Sequence, residues 1–149
     1  MIVNSGNANA GTGAPGYKNA QLMTAATGEA LQIANSHVIV CSTGIIGTPL
    51  PMDPILAATP KLAKKLSIDG AHDAARGILT TDHDPKEVVI TGSSFTVGGM
   101  AKGCGMIAPN MATMLAFLTT DADVPRADMQ AARKGGGDAT FNTLNVDGS

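Results

Sequence analysis

The sequence predicts an α/β fold. Apolar residues recur at helical spacing in several stretches, short apolar runs bounded by turn residues lie between them, and the two patterns alternate without an internal repeat or a domain linker.

Taken in order, Met1–Val3 reads as a strand end followed by a Gly/Asn/Ala loop that lasts to Gly16. Met23, Ala26, Ala30 and Ile33 then mark one face of a helix between about Tyr17 and Asn35, and Val38–Cys41 reads as a buried strand with a turn over 42–51 behind it. Asp53 as N-cap with Pro54 at the first helical position predicts a second helix, which Thr59-Pro60 interrupts or restarts before 61–66. Ala71, Ala74, Ala75 and Ile78 form a further amphipathic stripe. Lys86–Thr91 and Phe95–Val97 flank Gly92-Ser93-Ser94 as a hairpin, after which Gly98-Gly99 open a glycine-rich loop. From Thr113 the text turns to Met-Leu-Ala-Phe-Leu, a short apolar run that reads as a buried strand.

A length of 149 residues is ordinary for one domain and long enough to bury a core. With 3% aromatic residues and no Trp, that core has to be built from Ala, Val, Ile, Leu and eight Met. A formal net charge of -2 without a basic stripe argues against nucleic acid or an anionic membrane as the main partner. No apolar run approaches the roughly 20 residues of a membrane span, and the start has no signal-type pattern, so the cytoplasm is the expected location. Cys41 and Cys104 read as free thiols rather than a disulfide framework, and His37, His72 and His83 lack metal-ligand spacing, so neither a metal nor a cofactor is expected.

The most informative segment is Lys102-Gly103-Cys104-Gly105-Met106-Ile107-Ala108-Pro109-Asn110-Met111-Ala112-Thr113-Met114-Leu115. Its glycines and proline deliver one threonine to a loop-to-strand junction. A threonine hydroxyl needs a base, and an N-terminal threonine carries one in its own α-amine. Thr113 is internal, so that chemistry requires scission of the Ala112–Thr113 bond, by attack of the hydroxyl on the preceding carbonyl and hydrolysis of the resulting ester. From spacing alone, Thr113 is more simply a β-branched residue opening a strand.

The wording of the segment goes further. Lys-Gly-x-Gly-Met-Ile-x-Pro-Asn-Met-Ala-Thr-Met-Leu resembles the self-cleavage site of the glutamate N-acetyltransferase family, the bifunctional ornithine acetyltransferases of arginine biosynthesis. Four other blocks resemble that family in the same order: Val3–Ala10, Cys41–Gly47, Thr80-Thr81-Asp82, and Phe141-Asn142 with Val146-Asp147-Gly148.

The resemblance implies a layered αββα sandwich with an N-terminal-nucleophile-like threonine on an inner strand. It also implies self-cleavage into 1–112, the end of an α chain, and 113–149, the start of a β chain, two of each assembling in the whole enzyme. Thr113 would be the nucleophile, and Thr43 and Gly44 of the Ser-Thr-Gly motif the oxyanion hole. Lys102 and Thr80 would bind substrate with Thr113, with Thr81 the fallback for Thr80; Asp82 is given no role. The implied reaction moves an acetyl group from N-acetylornithine to glutamate through an acetyl-threonine, and some members also use acetyl-CoA as donor. Read without the resemblance, Gly44 is a turn glycine and Lys102 a solvated surface lysine.

The family has further sequence on both sides, with substrate contacts and an acidic residue expected beyond Ser149, so the chain reads as a central piece that is inactive alone if those groups are required. Gly11 stands where relatives often have Cys. Gly135-Gly136-Gly137 fall inside a helix the resemblance implies between Pro125 and Asn142, cost roughly 3 kcal/mol relative to alanine, and are expected to fray or break it. A different class is also on offer: Gly11, Gly13 and Gly16 fit Gly-x-Gly-x-x-Gly before a helix, the signature of a dinucleotide-binding module. Against it, seven residues separate the motif from the strand ending at Val3, Pro15 removes a helix-start N–H, and no acidic residue closes Val38–Cys41.

Overall fold

The computed structural model describes residues 1–103 and 114–143. It is mixed α/β, and the chain divides into two units, Met1–Thr80 and Thr81–Ser149. No composition shift announces this division, which falls inside the Thr-Thr-Asp motif where the sequence predicts no domain linker.

In the first unit, β1 (Ile2–Asn7) pairs parallel with β2 (Val40–Ile45) in the register Ile2↔Val40 to Asn7↔Ile45. Both strands outrun their predicted ends. The Asn-Ser-Gly-Asn stretch of β1 and the Ser-Thr-Gly-Ile stretch of β2 read as loops by composition, yet each is the pairing partner of the other, and ladder bonds outweigh local turn preference. Polar side chains of β1 also find backbone acceptors: the Asn4 amide donates to the Asn7 carbonyl at 2.9 Å, and the Ser5 hydroxyl to the sequence-distant Gly77 carbonyl at 2.8 Å.

Between these strands runs α1 (Gly13–Leu31), which starts and ends four residues earlier than predicted. Pro15 sits in its first turn, where a missing N–H costs nothing. Gln32 stops it in a left-handed conformation with φ 55°, and Ile33 falls outside the helix at 40% exposure. Of the predicted face, Met23 is completely buried, with Ala26 and Ala30 half-buried.

After a 3-10 turn at Asn35–His37 and strand β2, α2 (Met52–Ala63) begins one position ahead of the predicted cap, with Pro51 at the N-cap and Pro54 in the first turn. Pro60 does not interrupt it. The proline deprives the Leu56 carbonyl of its donor, but buried Thr59 bonds back to the Ile55 carbonyl at 2.8 Å and α2 packs on α1, so tertiary contact carries the helix through. In α3 (Ala71–Gly77) and the turn after it, Ala75 and Ile78 are buried while Ala71 and Ala74 face solvent. Ala8, Met23, Leu50, Ala75 and Ile78 make the buried apolar core among the described residues, and all lie in this unit.

The second unit holds an antiparallel sheet in the order β3-β4-β5: β3 (Lys86–Thr91), β4 (Thr96–Lys102) and β5 (Leu115–Thr120). The predicted hairpin is present, closed by the Gly92 N–H donating to the Phe95 carbonyl at 2.8 Å. β4, however, continues through Gly98-Gly99 instead of ending before them. They are strand residues because β4 is central: a Cβ on Gly99 would stand 3.0 Å from Leu118 Cδ2 and 3.4 Å from Val88 Cγ1, side chains that lie across it from both neighbours. β5 is partly exposed rather than buried, Leu118 at 61%.

Last comes α4 (Arg126–Ala139), which runs unbroken through Gly135-Gly136-Gly137. A Lys134–Asp138 ion pair at 3.5 Å spans the glycines, and the Thr140 hydroxyl closes the last turn on the Gly136 carbonyl at 2.6 Å. Among the described residues no helix is long and apolar enough to cross a membrane.

Candidate active site

Thr43 and Gly44 lie on β2 itself, not in a turn behind it. Thr43 is buried at 4% exposure and registers with Ser5; Gly44 registers with Gly6. Gly44 has φ +132°, and a Cβ there would lie 2.2 Å from the Gly6 carbonyl carbon and 2.7 Å from Asn7 N. Backbone conformation and backbone crowding therefore both demand glycine here. Two register pairs earlier, at Asn4↔Ser42, Asn4 Oδ1 and Ser42 Oγ are buried without a hydrogen-bond partner among the described residues.

Lys102 is the last residue of β4 and is 4% exposed, so it is not the solvated surface lysine that spacing suggests. Gly103 follows at φ +122°, and a Cβ on it would meet the Met114 side chain at 3.1 Å. The register Lys102↔Leu115 joins the two ends of the glycine-rich segment side by side. Residues 104–113 lie outside the described residues, and with them Cys104, Ala112 and Thr113.

Asp82 received no role from its sequence context, yet its carboxylate side chain is fully enclosed. Oδ1 accepts from the Gly103 N–H at 2.8 Å and from the Lys86 ammonium at 2.5 Å; Oδ2 is buried with no partner among the described residues. Burial alone would push this carboxyl up. The Lys86 ammonium, the Gly103 N–H and the charges of Lys86 and Lys102 outweigh it and hold the group below its ordinary range. No spacing rule flags Asp82, because it meets Gly103 only through the β3–β4 register.

Thr80 is exposed and closes the first unit; Thr81 opens the second. Cys41 is a half-buried free thiol whose burial pushes its pKa up, against a smaller downward pull from the terminal ammonium, so it is protonated at neutral pH and a poor nucleophile.

The Gly11–Gly16 loop has β1 ending only a few residues before it, closer than predicted, but its interior is occupied. Thr12 Oγ1 donates to Asn9 Oδ1 at 2.6 Å, the Asn9 amide donates to the Gly16 carbonyl at 2.8 Å, and a Cβ on Gly16 would collide with Thr12 Oγ1. A cavity of about 250 Å³ beside it, lined by Gly11, Thr12, Asn19 and Thr48 among others, has no ionisable side chain to hold a ribose or a pyrophosphate.

The ArgJ family model matches residues 1–149. The Arginine biosynthesis bifunctional protein ArgJ of Caldanaerobacter subterraneus subsp. tengcongensis is 46% identical over 152 residues, covering 99% of this chain and 38% of that protein. Among solved structures, ornithine acetyltransferase of Mycobacterium tuberculosis complexed with ornithine aligns with TM-score 0.69 at 39% identity, covering 79% of this chain and 62% of that one. The ArgJ protein of Bacillus halodurans aligns with TM-score 0.62 at 42% identity, over 77% of this chain and 61% of that one. The chain thus spans about 38% of the length of the curated relative it matches, and across that span it belongs to the ArgJ family.

Proposed function

We propose that this chain carries the nucleophile segment of an acetyltransferase that moves the acetyl group of N-acetylornithine to glutamate in arginine biosynthesis. The observation that carries the reading is the Lys102↔Leu115 register next to a buried Lys102. Thr113 stands two residues before Leu115 in the sequence, and it is Leu115 that the register sets opposite Lys102. A relative solved with ornithine supports the substrate class.

In the chemistry we infer, Thr113 Oγ attacks the Ala112 carbonyl, the peptide nitrogen leaves as the Thr113 α-amine, and water hydrolyses the ester to give 1–112 and 113–149. The freed amine takes the proton from Oγ as it attacks the acetyl carbonyl of N-acetylornithine. Thr43 and Gly44 supply donors to the oxyanion, ornithine leaves with the proton, and glutamate's amine takes the acetyl group from the threonine ester. Lys102 holds the substrate α-carboxylate as a point charge, with Thr80 a second contact. Acetyl-CoA, where it is used, loads the same hydroxyl. The αββα layering, Thr113 on an inner strand and the two-plus-two assembly of cleaved chains belong to the same reading.

Denaturing mass spectrometry of the folded protein beside Thr113→Ala tests it. The parent should give chains ending at Ala112 and beginning at Thr113, and the variant an uncut chain; an uncut parent sinks the self-processing step.

A further inference from the structure

We propose that Asp82 is a positioning residue for Lys102, holding the end of β4 so that the lysine ammonium stays fixed for a substrate carboxylate. The inference rests on the anchor role of Lys102 proposed above.

Lys102 is a residue only 4% exposed, whose charge is costly to bury unless negative charge acts on it, and the enclosed Asp82 carboxylate is within reach of that charge. The same carboxylate fixes the backbone one residue further on, because its Oδ1 takes the Gly103 N–H at 2.8 Å. That bond spans the place where the chain leaves β4 at φ +122°, a conformation that would otherwise be free to relax. Lys86 holds Oδ1 from the solvent side at 2.5 Å and, being half-exposed, can complete its solvation with water. Asp82 thus links a conformation to a charge: one carboxylate sets both the backbone angle after Lys102 and the field around it. Its second oxygen, buried and unpartnered among the described residues, is a remaining acceptor directed into the same enclosed environment.

The test uses the full-length cleaved enzyme with ornithine as the calorimetric ligand and transfer kinetics alongside. Asp82→Asn should raise the ornithine Kd about tenfold while kcat changes less than about threefold, since an anchor acts on binding more than on the chemical step. In a Lys102→Met background the same substitution should add less than about twofold, because both act through one group. Asp82→Glu, which keeps the charge, should recover most of the affinity. A parental Kd in Asp82→Asn, or a full tenfold loss added on top of Lys102→Met, overturns the inference and leaves the anchor standing. A parental Kd in Lys102→Met overturns the anchor itself, and this inference with it. If Asp82→Asn does not fold, amide exchange in the unmodified enzyme decides. The Gly103 N–H should be protected about 100-fold or more, and exchange at open-loop rates overturns the proposal.

Discussion

The two units differ in what they enclose. The first buries Met23, Leu50, Ala75 and Ile78, an apolar core beneath a parallel strand pair. In the second, the most enclosed side chains among the described residues are charged, Lys102 and Asp82, while Val88, Val89 and Ile90 on β3 are all more than half exposed. Apolar burial is what a fold needs for stability, whereas enclosed charges cost desolvation and are better evidence for a task. Two positive-φ glycines repeat the contrast: Gly44 within β2 has the Gly6 and Asn7 backbone 2.2 to 2.7 Å from a would-be Cβ, whereas Gly103 just after β4 has Met114 at 3.1 to 3.3 Å.

The harshest way to break the first unit is therefore Gly44→Ala. A Cβ 2.2 Å from the Gly6 backbone at φ +132° has nowhere to go, so β1 and β2 must separate. We expect a loss of about 4 kcal/mol in urea unfolding, at the exceptional end for one substitution. Gly103→Ala, with the same sign of φ but a movable neighbour, should cost less than half as much; equal losses would erase the contrast.

Met23→Ala and Lys102→Met sharpen it next. Removing a completely buried methionine from the core should cost about 3 kcal/mol. Replacing the enclosed lysine with an apolar chain of similar length should cost less than about half of that, since its desolvation cost disappears with the charge and Asp82 keeps its bonds from Lys86 and Gly103. Unfolding curves that rank the two the other way round would make Lys102 a structural residue.

This asymmetry also governs what could be read in the sequence. The β3–β4 hairpin was legible because Val88-Val89-Ile90 and a Gly-Ser-Ser turn are local signals. The family and its motifs were legible from the wording around Thr113. The far halves of β1, β2 and β4 were not, because Gly44, Gly98 and Gly99 look like loop residues until a neighbouring strand explains why a side chain would be in the way, and Gly6 until the β2 register pairs it with Gly44. Asp82 was illegible for the same physical reason. Lys86 stands only four residues away, but Gly103, 21 residues on, reaches the carboxylate only once β3 and β4 have paired, and no short window along the chain contains that contact.

The Asp82 carboxylate gives a smaller effect that depends on pH. Its folded-state pKa is lowered, so the stability it contributes is complete above the unfolded value, about 3.9, and is lost as pH falls through the folded value. Urea midpoints of the parent and Asp82→Asn should differ most between about pH 5 and 7 and draw together only as the pH falls from about 4 through the lower folded value. A gap that persists in acid would mean that the bonding geometry, and not the charge, stabilises the strand end.

The smallest expected effect has the opposite sign and concerns the helix that the glycine run was expected to break. Gly135, Gly136 and Gly137 are helical, none has a positive φ, and a Cβ on any of them would meet nothing within 4 Å. Nothing in their surroundings requires glycine, so each costs helix propensity without a compensating contact. Gly136→Ala should stabilise α4 by somewhat less than about 1 kcal/mol, through the reduced freedom of the unfolded chain and the better intrinsic propensity. Amide exchange over Arg126–Ala139 is the measurement, and slower exchange on both sides of the substitution is the expected result. Faster exchange would mean that the bare backbone at Gly136 is covered in the whole enzyme by a neighbour that a methyl group displaces, which would give α4 an interface as polar as its own exposed surface.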